Sequence, residues 1–235
     1  MEKILVIGDL HGNSIWKDIV GKEQPTTCIF IGDYFDNLQG ITPIEEMSNF
    51  ESIINFKLSG KCKVHILLGN HDYHYLPGVK EEYSGYKPTM RHSYQSLLYE
   101  NKEHLKICHR EGEFLFTHAG VSEKWLEVNG WDGNMEIDEW VNEMFKYKPS
   151  IFGFQGWNPY GDSPISSPIW IRPKSLQASN RENLKNKFIQ VVGHTQQPKI
   201  DKKGKSTGSR YYYIDTLNTS KEYMMIVDGK IQWGR

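Results

Sequence analysis

Residues 4–12 read Ile-Leu-Val-Ile-Gly-Asp-Leu-His-Gly. The same phrase returns at 28–33 as Cys-Ile-Phe-Ile-Gly-Asp, and at 64–72 as Val-His-Ile-Leu-Leu-Gly-Asn-His-Asp. Each is a short apolar run that stops at a glycine followed by a polar donor. Continuous apolar runs of this length suit strands buried on both faces. Helical patterns separate them. Residues 14–20 read as a short helix. Pro43 to Leu58 carries Ile44, Met47, Phe50, Ile53, Ile54 and Leu58 at helical spacing, with Pro43 in the first turn. Strand, helix, strand, helix, strand predicts a layered α/β fold.

The pattern continues downstream. Ser93 to Tyr99 and Ile137 to Phe145 read as helices. Residues 107–113 and 114–117 form an expected hairpin turning near Gly112, whose second strand delivers His118-Ala119-Gly120. Asn183 to Phe188 reads as a helix, followed by a strand at 189–192 that delivers Gly193-His194-Thr195. Strands are expected at 210–214 and 223–227, and Asp228-Gly229 is a two-residue hairpin turn before residues 230–233. Pro149 to Pro173, rich in Gly, Pro, Ser and Trp, reads as an ordered surface loop. No repeat or domain boundary interrupts the chain, so 1–235 is read as one domain.

Bulk properties narrow the function classes. The chain has 235 residues, 38% hydrophobic and 24% charged, with a formal net charge of -1. That composition excludes disorder, and no global basic field draws the chain to nucleic acid. Cys28, Cys62 and Cys108 are odd in number and far apart, which fits neither a disulfide framework nor a zinc ribbon. The apolar run at 4–7 is too short for a signal peptide and nothing later suits a bilayer span, so a cytoplasmic protein is expected.

The donors after the strands are Asp9, His11, Asp33, Asn70, His118 and His194. In open α/β sheets, sites form beyond the carboxyl ends of strands. Strands sharing one edge would bring these six together. Carboxylates, imidazoles and an amide without thiolate suit Mn, Fe or Zn and disfavour a structural zinc site. Two such ions about 3.5–4 Å apart can activate a water and clamp an in-line phosphoryl transfer.

In sequence order, the motifs GDLHG, GDYFD, GNHD, THAG and GHT resemble those of the calcineurin-like metallophosphoesterases over nearly the whole chain. The branch most similar holds phosphoprotein phosphatases and symmetrical diadenosine tetraphosphatases, because His194 is followed by Thr195 and Gln196 rather than a second His. The resemblance implies a four-layer α/β (α+β) fold of two mixed sheets packed as a sandwich and flanked by helices. It implies two divalent ions, Mn first and Fe or Zn next. Asp9, His11 and bridging Asp33 would hold one; Asp33, Asn70, His118 and His194 the other, with a metal-bridging hydroxide as nucleophile. It also implies that His71 protonates the leaving oxygen and that Asp36 orients it, an arrangement that favours the charged imidazole.

The sequence departs from the protein phosphatases where they place phosphate-gripping arginines: Asn37 follows Asp36 and Leu68 precedes the GNHD motif. Asn37 is nonetheless a candidate substrate contact. Arg172, in Ser167-Pro-Ile-Trp-Ile-Arg172-Pro, is the candidate that holds two phosphate oxygens, with Arg210 and Arg91 behind it. Trp157, Tyr160 and Trp170 could stack on a base or simply pin a loop. His74 and His65 are read as a loop and a strand histidine, and Asp215 as a structural turn. The expected substrate is a phosphorylated small molecule, nucleotide or phosphoprotein. Alternatives are a dinucleoside polyphosphate hydrolase and a metal-binding scaffold without catalysis.

Overall fold

Alternation along the first strands sets the layering. In the computed structural model, which describes residues 2–37, 40–154, 158, 162–179, 184, 187–202 and 210–235, ten strands form two mixed sheets. They are β1 (Lys3–Ile7), β2 (Thr27–Phe30), β3 (Lys63–Leu67), β4 (Leu105–Lys106), β5 (Cys108–Glu111), β6 (Phe114–Thr117), β7 (Ile189–Val192), β8 (Tyr211–Tyr213), β9 (Tyr223–Val227) and β10 (Lys230–Gly234). The first sheet runs β10-β9-β1-β2-β3-β4 and the second β5-β6-β7-β8. β1 to β4 are mutually parallel, as are β6 to β8. Leu5, Ile7, Cys28, Phe30, Val64 and Ile66 join the core under the helices. Their neighbours Ile4, Val6, Ile29 and Leu67 meet Phe114, Phe116, Val191 and Tyr212 of the second sheet. Both faces are buried, as the unbroken apolar runs predict.

Helices α1 (Trp16–Glu23) and α2 (Pro43–Leu58) pack on β1 and β3. Thr42 starts α2 with a capping box: its hydroxyl accepts the Glu45 N–H while Glu45 reaches back to the Thr42 N–H. The face of α2 turned inward is more polar than its apolar spacing suggests. Ile44 and Leu58 remain exposed, whereas Glu46 and Asn49 are buried. Asn49 Oδ1 accepts from Trp16 Nε1 at 2.9 Å, and Glu46 takes the Lys87 ammonium at 2.8 Å.

Further along are α3 (Asn70–Tyr73), α4 (Arg91–Glu100), α5 (Glu123–Asn129), α6 (Ile137–Tyr147) and α7 (Pro173–Ser179). α3, α5 and α7 are short and carry too little apolar periodicity to be read from sequence. The helix expected at 183–188 falls mostly outside the described residues. Among the described residues no helix is long and apolar enough to cross a membrane.

His65 does face away from the helix-side core, but not into solvent. Its ring stacks on His109 of β5, with centroids 3.6 Å apart and planes 15° apart, and both side chains are buried. Burial first, then His109 and nearby lysines, pushes the His65 imidazole down to about 3. Burial and the Lys106 and Lys63 charges push His109 down to about 4. Unfolded histidines take up protons near pH 6.5, and the folded pair refuses them until lower pH. Its contribution is therefore fully present above pH 6.5 and is lost as pH falls toward 4. Urea midpoints measured from pH 7 to pH 4.5 should fall more steeply for wild type than for a His65→Gln/His109→Gln double variant.

Candidate active site

The six donors do converge, but from two sheets rather than one edge. β1, β2 and β3 bring Asp9, His11, Asp33 and Asn70 from the first sheet; β6 and β7 bring His118 and His194 from the second. A cleft of about 550 Å³ opens there, lined by Asp9, His11, Asp33, Asn70, His71 and His194, with Arg172 and Asp215 beside them.

Asp33 is the hub. Its carbonyl accepts the N–H groups of Leu10 (3.1 Å) and His11 (2.7 Å), which ties the first motif to the second. Its Oδ1 accepts the His71 N–H at 2.9 Å, which brings in the third. Its Oδ2 faces His118 Nε2 at 3.3 Å and His11 Nε2 at 3.7 Å. Burial would raise the Asp33 carboxyl, but the His118 and His71 charges outweigh it and hold it well below the usual range. Asp72 fixes the backbone around this hub. Its carboxylate accepts the N–H groups of Asp33, Tyr34 and Gly69, each at 2.8 Å.

The three histidine donors share one device. His118 Nδ1 lies 2.9 Å from the Ile31 carbonyl, His11 Nδ1 2.7 Å from the Phe35 carbonyl, and His194 Nε2 3.0 Å from the Trp170 carbonyl. A carbonyl only accepts, so each of these nitrogens carries the proton. The opposite nitrogen of each ring is turned inward toward Asp33 or Asn70, where a bound metal ion would take it in place of a proton, the arrangement that orients metal-binding imidazoles. His194 Nδ1 lies 2.8 Å and His118 Nε2 3.1 Å from Asn70 Oδ1. Asp9, His11 and Asp33 place a ligand atom each within 4.8 Å of one another.

The residues fit bound cations. Asp9 Oδ1 is buried with no hydrogen-bond partner, while Oδ2 accepts the His194 N–H at 2.9 Å. Burial, then Asp215, raises the Asp9 carboxyl well above its ordinary value, as expected of a buried carboxylate lacking a counter-charge. Asp33 and Asp9 draw His118 up to about 9 against its burial. Divalent cations would neutralise this excess of buried carboxylate.

Four site residues, His11, Asp33, Asp36 and His194, hold left-handed φ angles of 45°, 54°, 65° and 61°. Such backbone strain collects at functional sites. Two motif glycines serve a different purpose from turning the chain. A Cβ on Gly69 would sit 2.1 Å from Asp33 Oδ1, and one on Gly193 would sit 1.9 Å from Asp9 Oδ1. Their missing side chains are the space the carboxylates occupy.

His71 Nδ1 lies 3.0 Å from Asp36 Oδ2, and its ring reaches the cleft. Arg172 enters the cleft with Nη1 anchored on the His194 carbonyl at 2.8 Å and on Thr195 Oγ1 at 3.0 Å. Asn37, a candidate substrate contact by sequence, is not among the residues lining the cleft. Its side chain is committed to backbone, donating to the His11 carbonyl at 2.6 Å and accepting from Ile41 N–H at 3.1 Å. Leu68 is fully buried in the helix-side core. Two residues were underrated by sequence. Asp215 is a cleft residue, pushed up to about 6 by burial and by Asp33. His74 is fully buried against Asp36. Asp215 follows the strand expected at 210–214 without a glycine before it, and His74 lies past the strand-end phrase at 64–72, so the local signal at both was weak. Trp170 is mostly buried and touches His194 edge-on at 5.5 Å, whereas Trp157 and Tyr160 lie outside the described residues.

The family model of the calcineurin-like phosphoesterases matches residues 2–214, nearly the whole chain. The chain belongs to that family. It is a hydrolase acting on phosphoesters, and the family's catalysis depends on two metal ions. Solved structures share the fold at low identity. A cold-active protein-tyrosine phosphatase of a psychrophile Shewanella species is 16% identical with a TM-score of 0.67, covering 100% of this chain and 78% of that one. A mutant form of a cold-active protein tyrosine phosphatase gives 0.70 at 16% identity, with the same coverage. A Saccharomyces cerevisiae protein serine/threonine phosphatase similar to human phosphatase PP5 gives 0.59 at 13% identity, covering 97% and 73%. A search of curated proteins by sequence found no match.

Asp72→Ala should orphan three buried N–H groups. At ~1 kcal/mol or more for each, stability should fall by at least ~3 kcal/mol, read from the urea midpoint, and metal content after dialysis should fall with it.

Proposed function

We propose that this phosphoesterase is a phosphomonoesterase similar in action to serine/threonine protein phosphatases. Asp9, His11 and Asp33 hold one metal ion, and Asp33, Asn70, His118 and His194 hold the other. Manganese is the first choice, with iron and zinc next. One observation carries this reading: three imidazoles, each pinned by a backbone carbonyl, turn their other ring nitrogen toward Asp33 or Asn70 beside the cleft that also holds His71 and Arg172. When bound, the two ions supply a Lewis acid that activates water and spreads the charge of the phosphoryl group.

The protein's own groups do the rest. Arg172, with Nη1 tethered to His194 and Thr195, is preset to meet phosphate oxygens at the cleft wall. His71, held through Nδ1 by Asp36, offers Nε2 to the leaving oxygen and donates a proton as the ester bond breaks. Asp33 and Asp36 favour its charged form against burial. The phosphatases among the fold neighbours support a monoester substrate. We further propose that residues 1–235 act as one catalytic unit, because cleft residues run from Asp9 to Asp215. The three free, buried cysteines support a cytoplasmic setting.

Tyr83, Phe154 and Trp170 also line the cleft. They support a second reading, in which a base stacks on this wall and the substrate is a dinucleoside polyphosphate. Product analysis with diadenosine tetraphosphate against a phosphopeptide separates the two.

Metal-free protein should gain para-nitrophenyl phosphatase activity on adding Mn, lose it in chelator, and show none as Asp33→Asn. Full activity of that variant would overturn the assignment. Arg172→Ala should raise KM about tenfold or more, as loss of a charge-assisted phosphate contact predicts, with metal content unchanged.

A further inference from the structure

Asp36 has more partners than His71. Its Oδ1 accepts the Tyr75 hydroxyl at 2.6 Å. Its Oδ2 lies 3.0 Å from His71 Nδ1 and 2.7 Å from His74 Nε2. His74 is fully buried and is not among the cleft-lining residues. Its Nδ1 accepts the Tyr83 N–H at 3.2 Å. An amide only donates, so that nitrogen is bare and the ring proton sits on Nε2, the atom facing Asp36. The contact with Asp36 is close without meeting hydrogen-bond geometry, so it acts through the polarity of the N–H facing the carboxylate and through filling the space behind it.

The ring is clamped on its other sides. Tyr83 stacks on it at 5.3 Å and 18°, and the rings of Tyr75 and Tyr86 meet it edge-on at 4.3 and 5.1 Å. Asp36 itself sits in a left-handed backbone conformation, φ 65°. A strained, buried carboxylate keeps one orientation only where its surroundings over-determine it.

We propose that His74 is a positioning residue: held by the backbone of Tyr83, it fixes the Asp36 carboxylate and thereby aims His71 at the leaving oxygen. This rests on His71 being the leaving-group acid. Orientation of an acid matters most where the leaving group most needs its proton, so the effect belongs to poor leaving groups rather than to substrate binding. Because Tyr83 and its neighbours Glu82 and Ser84 also line the cleft, the cleft wall and the acid are mechanically one piece.

The test compares para-nitrophenyl phosphate, a good leaving group, with phenyl phosphate, a poor one, in Mn-loaded protein. His71→Asn is measured first: a selective loss on phenyl phosphate establishes the acid, and equal loss on both removes the premise. With the premise standing, His74→Met should lower kcat for phenyl phosphate about tenfold, the scale of lost supporting contacts at such sites. Para-nitrophenyl phosphate should change less than about threefold, with KM and the two bound Mn unchanged. His74→Gln, which keeps a donor toward Asp36 and an acceptor for Tyr83, should recover most of the rate. In an Asp36→Asn background, His74→Met should have no further effect. Equal losses on both substrates, additivity with Asp36→Asn, or loss of a bound ion would overturn the proposal. Failure of both His74 variants to fold would also overturn it, assigning the residue to the core alone.

Discussion

Two carboxylates, Asp33 and Asp72, stand far apart in sequence and together hold this site in shape. Asp72 gathers the N–H groups of Asp33, Tyr34 and Gly69, and Asp33 gathers those of Leu10, His11 and His71 through its carbonyl and Oδ1. Three loops that follow three parallel strands are thereby fixed to one another by groups that would otherwise be orphaned donors. Buried N–H groups left without acceptors are costly, so the constraint works both ways: the loops need these acceptors, and the Asp72 carboxylate needs its three donors to offset burial. Asp72 stands near balance, raised to about 7 by burial and by Asp33 despite its backbone donors.

The second sheet enters through the same kind of contact. His194 donates its N–H to Asp9 across the sandwich, and His118 donates its Nδ1 proton to the Ile31 carbonyl at the end of β2. His118 joins the sheets through a ring nitrogen and His194 through its backbone N–H, and each keeps a ring nitrogen facing Asn70. Packing between the sheets and formation of the site are therefore one event. Gly69 and Gly193 complete it, since a methyl group at either position would occupy the place of a carboxylate oxygen.

Charge around the cleft is less symmetrical. Arg172 lies on the side of His194, while Asn37 and Leu68 serve the structure. Asn37 braces the loop after Asp36, and Leu68 belongs to the apolar layer under the helices. On the other side the cleft presents Glu81, Glu82 and Tyr83, so that wall is not a second arginine clamp.

The sequence by itself determined most of the strands, the burial of the first three on both faces, and the six donors at the strand ends. It did so because period and punctuation are local: an apolar run of four or five residues closed by Gly-Asp, Gly-Asn or Gly-His is visible without any neighbour. α2, with its apolar spacing and Pro43 in the first turn, was legible for the same reason. Tertiary structure alone decided that the donors come from two sheets, that Asn37 faces the backbone, that Asp215 borders the cleft, and that His65 stacks on His109. It also decided which nitrogen of each histidine meets a backbone carbonyl, and that His74 stands behind Asp36. These depend on which carbonyl or carboxylate happens to lie opposite, often dozens to nearly two hundred residues away. No residue spacing records that.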